Sequence, residues 1–248
     1  MKRLGQHFLN DRAILARIVD ALDPVPGETV LEIGPGAGTL TDELLARGLR
    51  VVAIEKDRRL AAQLARDNLE VIQGDALELE WGPLGADKVV GNIPYYITSP
   101  LLDKALTPPL PQRIVFLVQQ EVADRLAAKP GGKQYGALTV GVQAQCRVER
   151  VFTVRPGAFR PPPKVHSAVV RLTPLVEPLV RPEEVRALRV FVTACFSKRR
   201  KQLKNAVPGL TESELEALGI DPTIRPERLA PEVFVRLLRH QVPGSTYP

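Results

Sequence analysis

Thr29-Val30-Leu31-Glu32-Ile33-Gly34-Pro35-Gly36-Ala37-Gly38-Thr39 reads as a short apolar strand running into a glycine turn. Leu40, Leu44 and Leu45 follow at helical spacing, and Arg50-Val51-Val52-Ala53-Ile54-Glu55 is a second apolar strand that ends in a carboxylate 21 positions after Gly34. Strand, glycine turn, helix, strand and acid make the crossover of a Rossmann-like α/β sheet. In it the glycines admit a ligand close to the backbone and the acid accepts from ribose hydroxyls. The spacing departs from the one that cradles a pyrophosphate, because Gly38 arrives one residue early and Thr39 follows it. A nucleoside without phosphates needs only the close approach, and S-adenosylmethionine is such a ligand. Gly34 and Glu55 are therefore candidate cofactor residues, with a purely structural turn as the alternative.

Outward from this crossover the pattern repeats. A helix is expected over 58–68, then the strand Leu69-Glu70-Val71-Ile72-Gln73 and Gly74-Asp75. In a parallel sheet Asp75 falls beside Glu55, where it either accepts from an adenine amine of the cofactor or caps the next turn. A fourth strand, Lys88-Val89-Val90, enters Gly91-Asn92-Ile93-Pro94-Tyr95-Tyr96, where Pro94 stops the strand. The amide oxygen of Asn92 and a backbone carbonyl near Ile93 or Pro94 can accept from an exocyclic base amine, and Tyr95 offers a stacking face worth about 1–3 kcal/mol. Two such acceptors aim the nitrogen lone pair of an otherwise poor nucleophile at an electrophile. The competing reading of this hexapeptide is an ordinary Asn-x-Pro turn.

Further along, strands are expected over 113–119 and 166–172 and a helix over 121–128, with 136–142 and 148–154 returning to the sheet. Lys129-Pro130-Gly131-Gly132-Lys133-Gln134-Tyr135-Gly136 is a basic loop that suits either a phosphate backbone or a mobile connection. Three consecutive prolines stiffen the stretch after Phe159. That residue reads either as the second face of a sandwich with Tyr95 or as a buried plug. Beyond a proline-rich linker over 174–182, Leu188, Phe191, Val192, Cys195, Phe196 and Leu203 define one helix face. The same helix is expected to carry Lys198, Arg199, Arg200, Lys201 and Lys204, five bases within seven residues, as a phosphate-contact surface. Thr211 with Glu214 makes a capping box, and Pro231 opens a last helix. At the other end, Asn10 or Asp11 caps a helix through Ile14, Leu15, Ile18, Val19 and Leu22.

The totals bound the partners. Lys+Arg of 34 against Asp+Glu of 28 gives a net charge of +6, which favours a polyanion over an acidic partner. Cys146 and Cys195 stand far apart in apolar segments and read as reduced core residues. The three histidines show no ligand spacing, so no metal is expected. Neither a signal peptide nor a run of about 18 apolar residues occurs, which suggests a cytoplasmic chain with no membrane partner. At 248 residues the chain is one large domain or one domain plus a small appendage.

Taken together, GQHFLND, LEIGPGAGTLT, VVAIEKD, GDAL, GNIPYYITSPLL, FLVQQEVADRL, PGAFRPPPKVHS and FSKRRKQLKN resemble the ribosomal RNA adenine N6-dimethyltransferase family, in particular its small-subunit KsgA branch. The resemblance runs from Gly5 to about Asn205. It implies a class I methyltransferase domain over 1–175, whose α/β sheet has seven strands, mostly parallel with an antiparallel hairpin at its end, a small all-helical, RNA-binding domain over 176–248, and a monomer that uses S-adenosylmethionine without a metal. It assigns cofactor contacts to His7, Leu9, Gly34, Glu55, Asp75 and Asn92, and catalysis to Asn92, Pro94 and Tyr95, with Phe159 flanking the target base. Position 7 is His where many relatives carry Asn, and position 93 is Ile instead of Leu. The implied substrate is a pair of adjacent adenines in the 3′-terminal hairpin loop of small-subunit ribosomal RNA, met in an assembling 30S particle. The alternatives are the large-subunit methyltransferase of the macrolide-resistance type and a non-catalytic RNA-binding assembly factor.

Overall fold

Apolar runs buried on both faces force the centre of this chain into a parallel sheet, since only helices on either side can cover them. The computed structural model describes residues 7–241. Its elements are β1 (Phe8–Leu9), α1 (Arg12–Ala21), β2 (Thr29–Ile33), α2 (Thr39–Ala46), β3 (Arg50–Glu55), α3 (Arg58–Gln63), β4 (Leu69–Gln73), β5 (Lys88–Asn92), α4 (Thr98–Ala105) and β6 (Arg113–Gln119). They continue through α5 (Gln120–Leu126), α6 (Ala137–Gln143), β7 (Cys146–Val154), β8 (Phe159–Arg160), β9 (Ser167–Pro174), α7 (Val185–Ser197), α8 (Leu203–Ala206), α9 (Glu212–Ala217) and α10 (Pro231–Gln241).

The main sheet has seven strands in the order β4-β3-β2-β5-β6-β9-β7. β4 through β6 pair in parallel and β9 runs antiparallel to β6. From β2 the chain first builds outward through β3 and β4, then returns to place β5 on the other side. The gap between the tips of β2 and β5 is thus a topological switch point, where open α/β sheets bind ligands. A separate antiparallel pair joins β1 to β8, with Phe8 opposite Arg160 and Leu9 opposite Phe159. Under the sheet, Leu15, Ile18, Val19 and Leu22 of the first helical segment pack with Val30, Leu44, Val51, Val90, Val115 and Val169. Asp11 caps that helix, accepting from the N–H groups of Ala13 and Ile14.

The chain forms two compact units. One holds residues up to Ala123 with Glu149–Pro174, and the other holds Asp124–Val148 with the chain from Leu175 onward. The expected division at 175 is therefore only one of three crossings, and Asp124–Val148 belongs with the second unit. The reason lies in residues 136–142, expected to return to the sheet. They form a helix because the Thr139 hydroxyl accepts from the N–H of Gly136, and Val140 and Ala144 bury in the second unit's core. That core gathers Tyr135, Leu188, Phe191, Cys195, Leu215, Phe234 and Leu238, and the Tyr135 hydroxyl donates to the Leu229 carbonyl at 2.8 Å.

Two helices are shorter than their apolar spacing suggests. α3 stops at Gln63, with Leu64 extended and Asn68 left-handed at φ 60°, where the turn into β4 needs them. α7 stops at Ser197, so Lys198 to Lys201 form a turn, Lys204 falls on α8, and the run is not one helical face. The N–H groups of Leu203 and Lys204 bond to the carbonyls of Ile224 and Pro222, which removes the i−4 bonds a continuous helix requires. The capping box of Thr211 with Glu214 and the start of α10 at Pro231 are as expected.

Candidate active site

Sheet register brings the candidate residues into one row. Ile33 lies opposite both Ile54 and Gly91, and Glu55 lies opposite Gln73. The next residue along each strand tip, or the tip itself, is Gly34, Glu55, Asn92 and, after Gly74, Asp75. All four line one cleft, with His7, Leu9, Pro94 and Tyr95, enclosing about 1100 Å³ of empty space with its mouth included.

The glycine turn and the acid are built as one piece. Gly34, Gly36 and Gly38 have φ of 68°, 60° and 85°, the left-handed region that side chains avoid. The Gly36 N–H donates to Glu55 Oε2 at 3.0 Å and the Asp57 N–H to Oε1 at 2.8 Å. Glu55, 3% exposed, is thereby held with one lone pair on each oxygen still available. At Gly34 a methyl group would meet nothing within 4 Å, so the backbone there is open to a ligand. A buried acid beside open backbone, with no base in the turn, fits the ribose and close approach of S-adenosylmethionine better than a pyrophosphate. Among the described residues no group of three His, Cys, Asp or Glu side chains is placed to hold a metal.

Asp75 caps the next turn, the second of its two readings, and lines the cleft. Its Oδ1 accepts from the Leu77 N–H at 3.0 Å, capping the turn, while Oδ2 pairs with Lys56 Nζ at 2.5 Å at the cleft wall. The Lys56 hydrogen bond, more than any other contact, holds its carboxyl below the usual range.

On the other side of the switch point the Asn92 side-chain nitrogen donates to the His7 carbonyl at 2.8 Å. A carbonyl can only accept, so the amide is fixed with Oδ1 turned the opposite way, as an acceptor. Pro94 ends the strand, and its carbonyl takes the N–H of Ile97 at 3.1 Å and the Thr98 hydroxyl at 3.4 Å. Of the two candidate carbonyls, Ile93's is the one left without such a partner among the described hydrogen bonds. The half-buried Tyr95 ring lies 5.8 Å from His7 at a 31° tilt, and its hydroxyl is 2.7 Å from Ser167 Oγ. Burial raises the Tyr95 pKa, with the Ser167 bond opposing it. His7 Nδ1 is 2.8 Å from the Pro161 carbonyl and so carries its proton on that nitrogen.

Phe159 corrects an expectation. Its ring does not line the cleft; it is 1% exposed in the core with Leu9, Val154 and Val169, because β8 pairs with β1 and turns the side chain inward. In this structure it is the buried plug. The segment it pins is itself tied down, since Thr39 Oγ1 donates to the Leu9 carbonyl at 2.9 Å and the Phe8 ring sits where a Gly36 side chain would start, 2.9 Å away.

The sequence reading passed over three residues of this site. Glu32 is 1% exposed at the cleft wall, takes the Thr41 hydroxyl at 2.6 Å, and burial pushes its carboxyl up to about 7. A carboxylate inside an apolar strand is the signal that could have found it. Tyr96 stands at the cleft with 63% of its surface exposed, and Ser167 meets Tyr95 only through the fold.

Among the basic residues of the second unit, Lys198, Arg200 and Lys201 are exposed. Arg199 instead donates to the Lys133 carbonyl at 2.8 Å and faces Glu227 at 3.5 Å, and Lys204 pairs with Glu212 at 3.0 Å.

Residues 1–239 match the family described as "Ribosomal RNA adenine dimethylase". The chain is 45% identical over 247 residues to ribosomal RNA small subunit methyltransferase A of Hahella chejuensis, covering 95% of this chain and 90% of that protein. It is 46% identical over 251 residues to the protein of the same name from Thermosynechococcus vestitus, covering 95% and 94%. Among solved structures, a dimethyladenosine transferase from Plasmodium falciparum superposes with a TM-score of 0.83 at 30% identity, covering 94% and 97%. The 23S rRNA methyltransferase ErmE gives 0.72 at 32%, covering 94% and 99%.

Proposed function

This chain belongs to the ribosomal RNA adenine dimethylase family and is an adenine dimethyltransferase of ribosomal RNA, and on that premise we propose the donor, the substrate and the residues that join them. The substrate is small-subunit ribosomal RNA, as the relatives' names say of those proteins. The finer target is two adjacent adenines of its 3′-terminal hairpin loop, modified by a monomeric, cytoplasmic enzyme on an assembling 30S particle.

S-adenosylmethionine, when bound, supplies an electrophilic methyl group on a sulfonium. Gly34 and Glu55 hold its nucleoside, Asp75 its adenine edge, and the backbone of His7 and Leu9 closes over it. A target adenine leaves its stack at a cost of a few kcal/mol, offset by stacking on Tyr95. Asn92 Oδ1 and the Ile93 carbonyl would accept the two N6 hydrogens and so turn the nitrogen lone pair toward the donor's methyl carbon; the new N–C bond would replace the C–S bond, and the displaced N6 proton would pass to solvent. Pro94 fixes the turn that presents both acceptors. Because Asn92 is neutral, replacing one N6 hydrogen by the first methyl group would cost no ionic contact, and a second round could follow. Lys198, Arg200 and Lys201 contact phosphates in the second unit.

The observation that carries this reading is the amide of Asn92, oriented by His7 with its oxygen unpartnered among the described residues, one strand away from Gly34. Labelled methyl transfer tests it, with unmodified small-subunit particles and naked large-subunit RNA as parallel substrates and primer extension to map the product. Label at two neighbouring adenines of the small-subunit RNA is expected. Label only on the large-subunit RNA, or cofactor binding with no transfer, overturns it.

A further inference from the structure

Ser167 is the first residue of β9, and its position follows from strand direction. β9 runs antiparallel to β6, so it starts at the edge where the parallel strands finish, with Ser167 opposite Gln119. Its side chain is fully buried, at 0% exposure, on a rigid hydrogen-bonded ladder. Tyr95, by contrast, sits on a short 3-10 turn, Tyr95–Ile97, and is only half-buried. The 2.7 Å contact between the two hydroxyls crosses the end of β6 and is the only hydrogen bond given to either hydroxyl among the described residues.

A ring on a turn has two soft torsions, and a stacking platform has to be held within about 0.5 Å to place a base in line with its reaction partner. The tilted contact with His7 limits movement of the ring on one side. It does not fix the end of the ring farthest from the backbone. The Ser167 hydroxyl does, from a strand that cannot follow the ring if it swings.

We propose that Ser167 is a positioning residue for methyl transfer, acting through the Tyr95 hydroxyl to fix the plane on which the target base stacks. The proposal rests on the adenine-methylation reading above. Ser167 is not among the residues that line the cleft, so its effect falls on the chemical step and leaves cofactor affinity alone. It also gives the Tyr95 hydroxyl a function that stacking does not need, since phenylalanine stacks equally well.

The test is a cycle of Ser167→Ala, Tyr95→Phe and the double variant, in the full chain on unmodified small-subunit particles. Single-turnover transfer rate, S-adenosylmethionine affinity and melting temperature are measured for each. Either single change is expected to slow transfer by about tenfold to a hundredfold, the range for a reacting group displaced by about 1 Å. The double variant is expected to be no slower than the slower single one, and cofactor affinity to stay within about twofold. An unchanged transfer rate in folded Ser167→Ala, even with a lowered melting temperature, overturns the proposal, as do effects that multiply in the double variant. Should Ser167→Ala not fold, Tyr95→Phe decides, because it keeps the ring and removes only the bond: full activity there rejects the role. Wild-type enzyme that transfers no label removes the underlying reading, and the proposal with it.

Discussion

The side-chain nitrogen of Asn92 lies 2.8 Å from the backbone carbonyl of His7, 85 residues earlier in the chain. One hydrogen bond therefore decides which end of the amide faces the cleft. Asn92→Asp keeps the shape but sets a carboxylate oxygen against that carbonyl, two acceptors with no proton between them. Transfer is expected to fall by about a hundredfold or more, and Asn92→Ala to behave similarly. Single-turnover rates with cofactor affinity measured alongside check this, the affinity changing far less than the rate.

Phe159 separates a core role from a base-flanking one. Phe159→Leu keeps an apolar side chain of similar volume in a fully buried site and is expected to cost about 1 kcal/mol of stability, with transfer within a few-fold of wild type. Phe159→Ala is expected to cost about 3–5 kcal/mol. Urea denaturation and transfer assays on both variants check the pair; a large rate loss in a stable Phe159→Leu returns the ring to the base.

Glu32 makes stability fall as pH rises. Its carboxyl titrates near 7 when folded, against an ordinary value of 4.5, because burial disfavours the charge. Between those values the unfolded chain has already lost the proton that the folded chain keeps. Stability is then lost with rising pH across this window, by roughly 3 kcal/mol at most. Glu32→Gln keeps an acceptor for the Thr41 hydroxyl and removes the titration. It is expected to melt above wild type at pH 8 and to lose that advantage below about pH 4.5, a crossing that thermal melts over pH 4–8 would reveal.

Lys88 starts β5 at the opposite edge of the sheet, with its Nζ 2.6 Å from both Glu28 Oε2 and the Asp23 carbonyl and its side chain 6% exposed. Lys88→Met strands those acceptors and is expected to destabilise the fold by about 3–5 kcal/mol. The folded fraction is expected to transfer methyl groups at the normal rate, because no cleft residue moves. Denaturation curves and activity below the melting temperature check both halves.

In the second unit, Arg199 is committed to the loop carbonyl of Lys133 whereas Arg200 is exposed. Arg200→Ala is expected to weaken particle binding and reduce the slope of log affinity against log salt by about one, without changing the melting temperature. Arg199→Ala is expected to lower the melting temperature by a few degrees, about 1 kcal/mol of lost hydrogen bonding. Binding titrations at several salt concentrations and thermal melts separate the two.

Much of this was legible in the chain because parallel strands announce themselves. Arg50–Glu55, Leu69–Gln73 and Arg113–Gln119 have the bounds that their apolar runs suggest, and Glu55 at the end of the first and Asp75 just after the second line the cleft. What stayed hidden depends on partners distant in sequence. The helical spacing through Cys195 and Leu203 continues across the basic run, yet Ile224 and Pro222 take the bonds that would have carried the helix. Phe159 looks equally suited to a cleft or a core until its pairing with Leu9 sets the direction of its ring. Ser167 carries no local signal at all.

The pairing of β1 with β8, and of His7 with Pro161 across 154 residues, has a consequence for synthesis. While the chain is still being translated, the segment that orients Asn92 can rest on Thr39 and Gly36 but lacks its strand partner. That pairing forms only after Pro161 has emerged from the ribosome, so a chain ended before residue 159 is expected to hold His7 against Asn92 less firmly even when its glycine turn and acids are already folded.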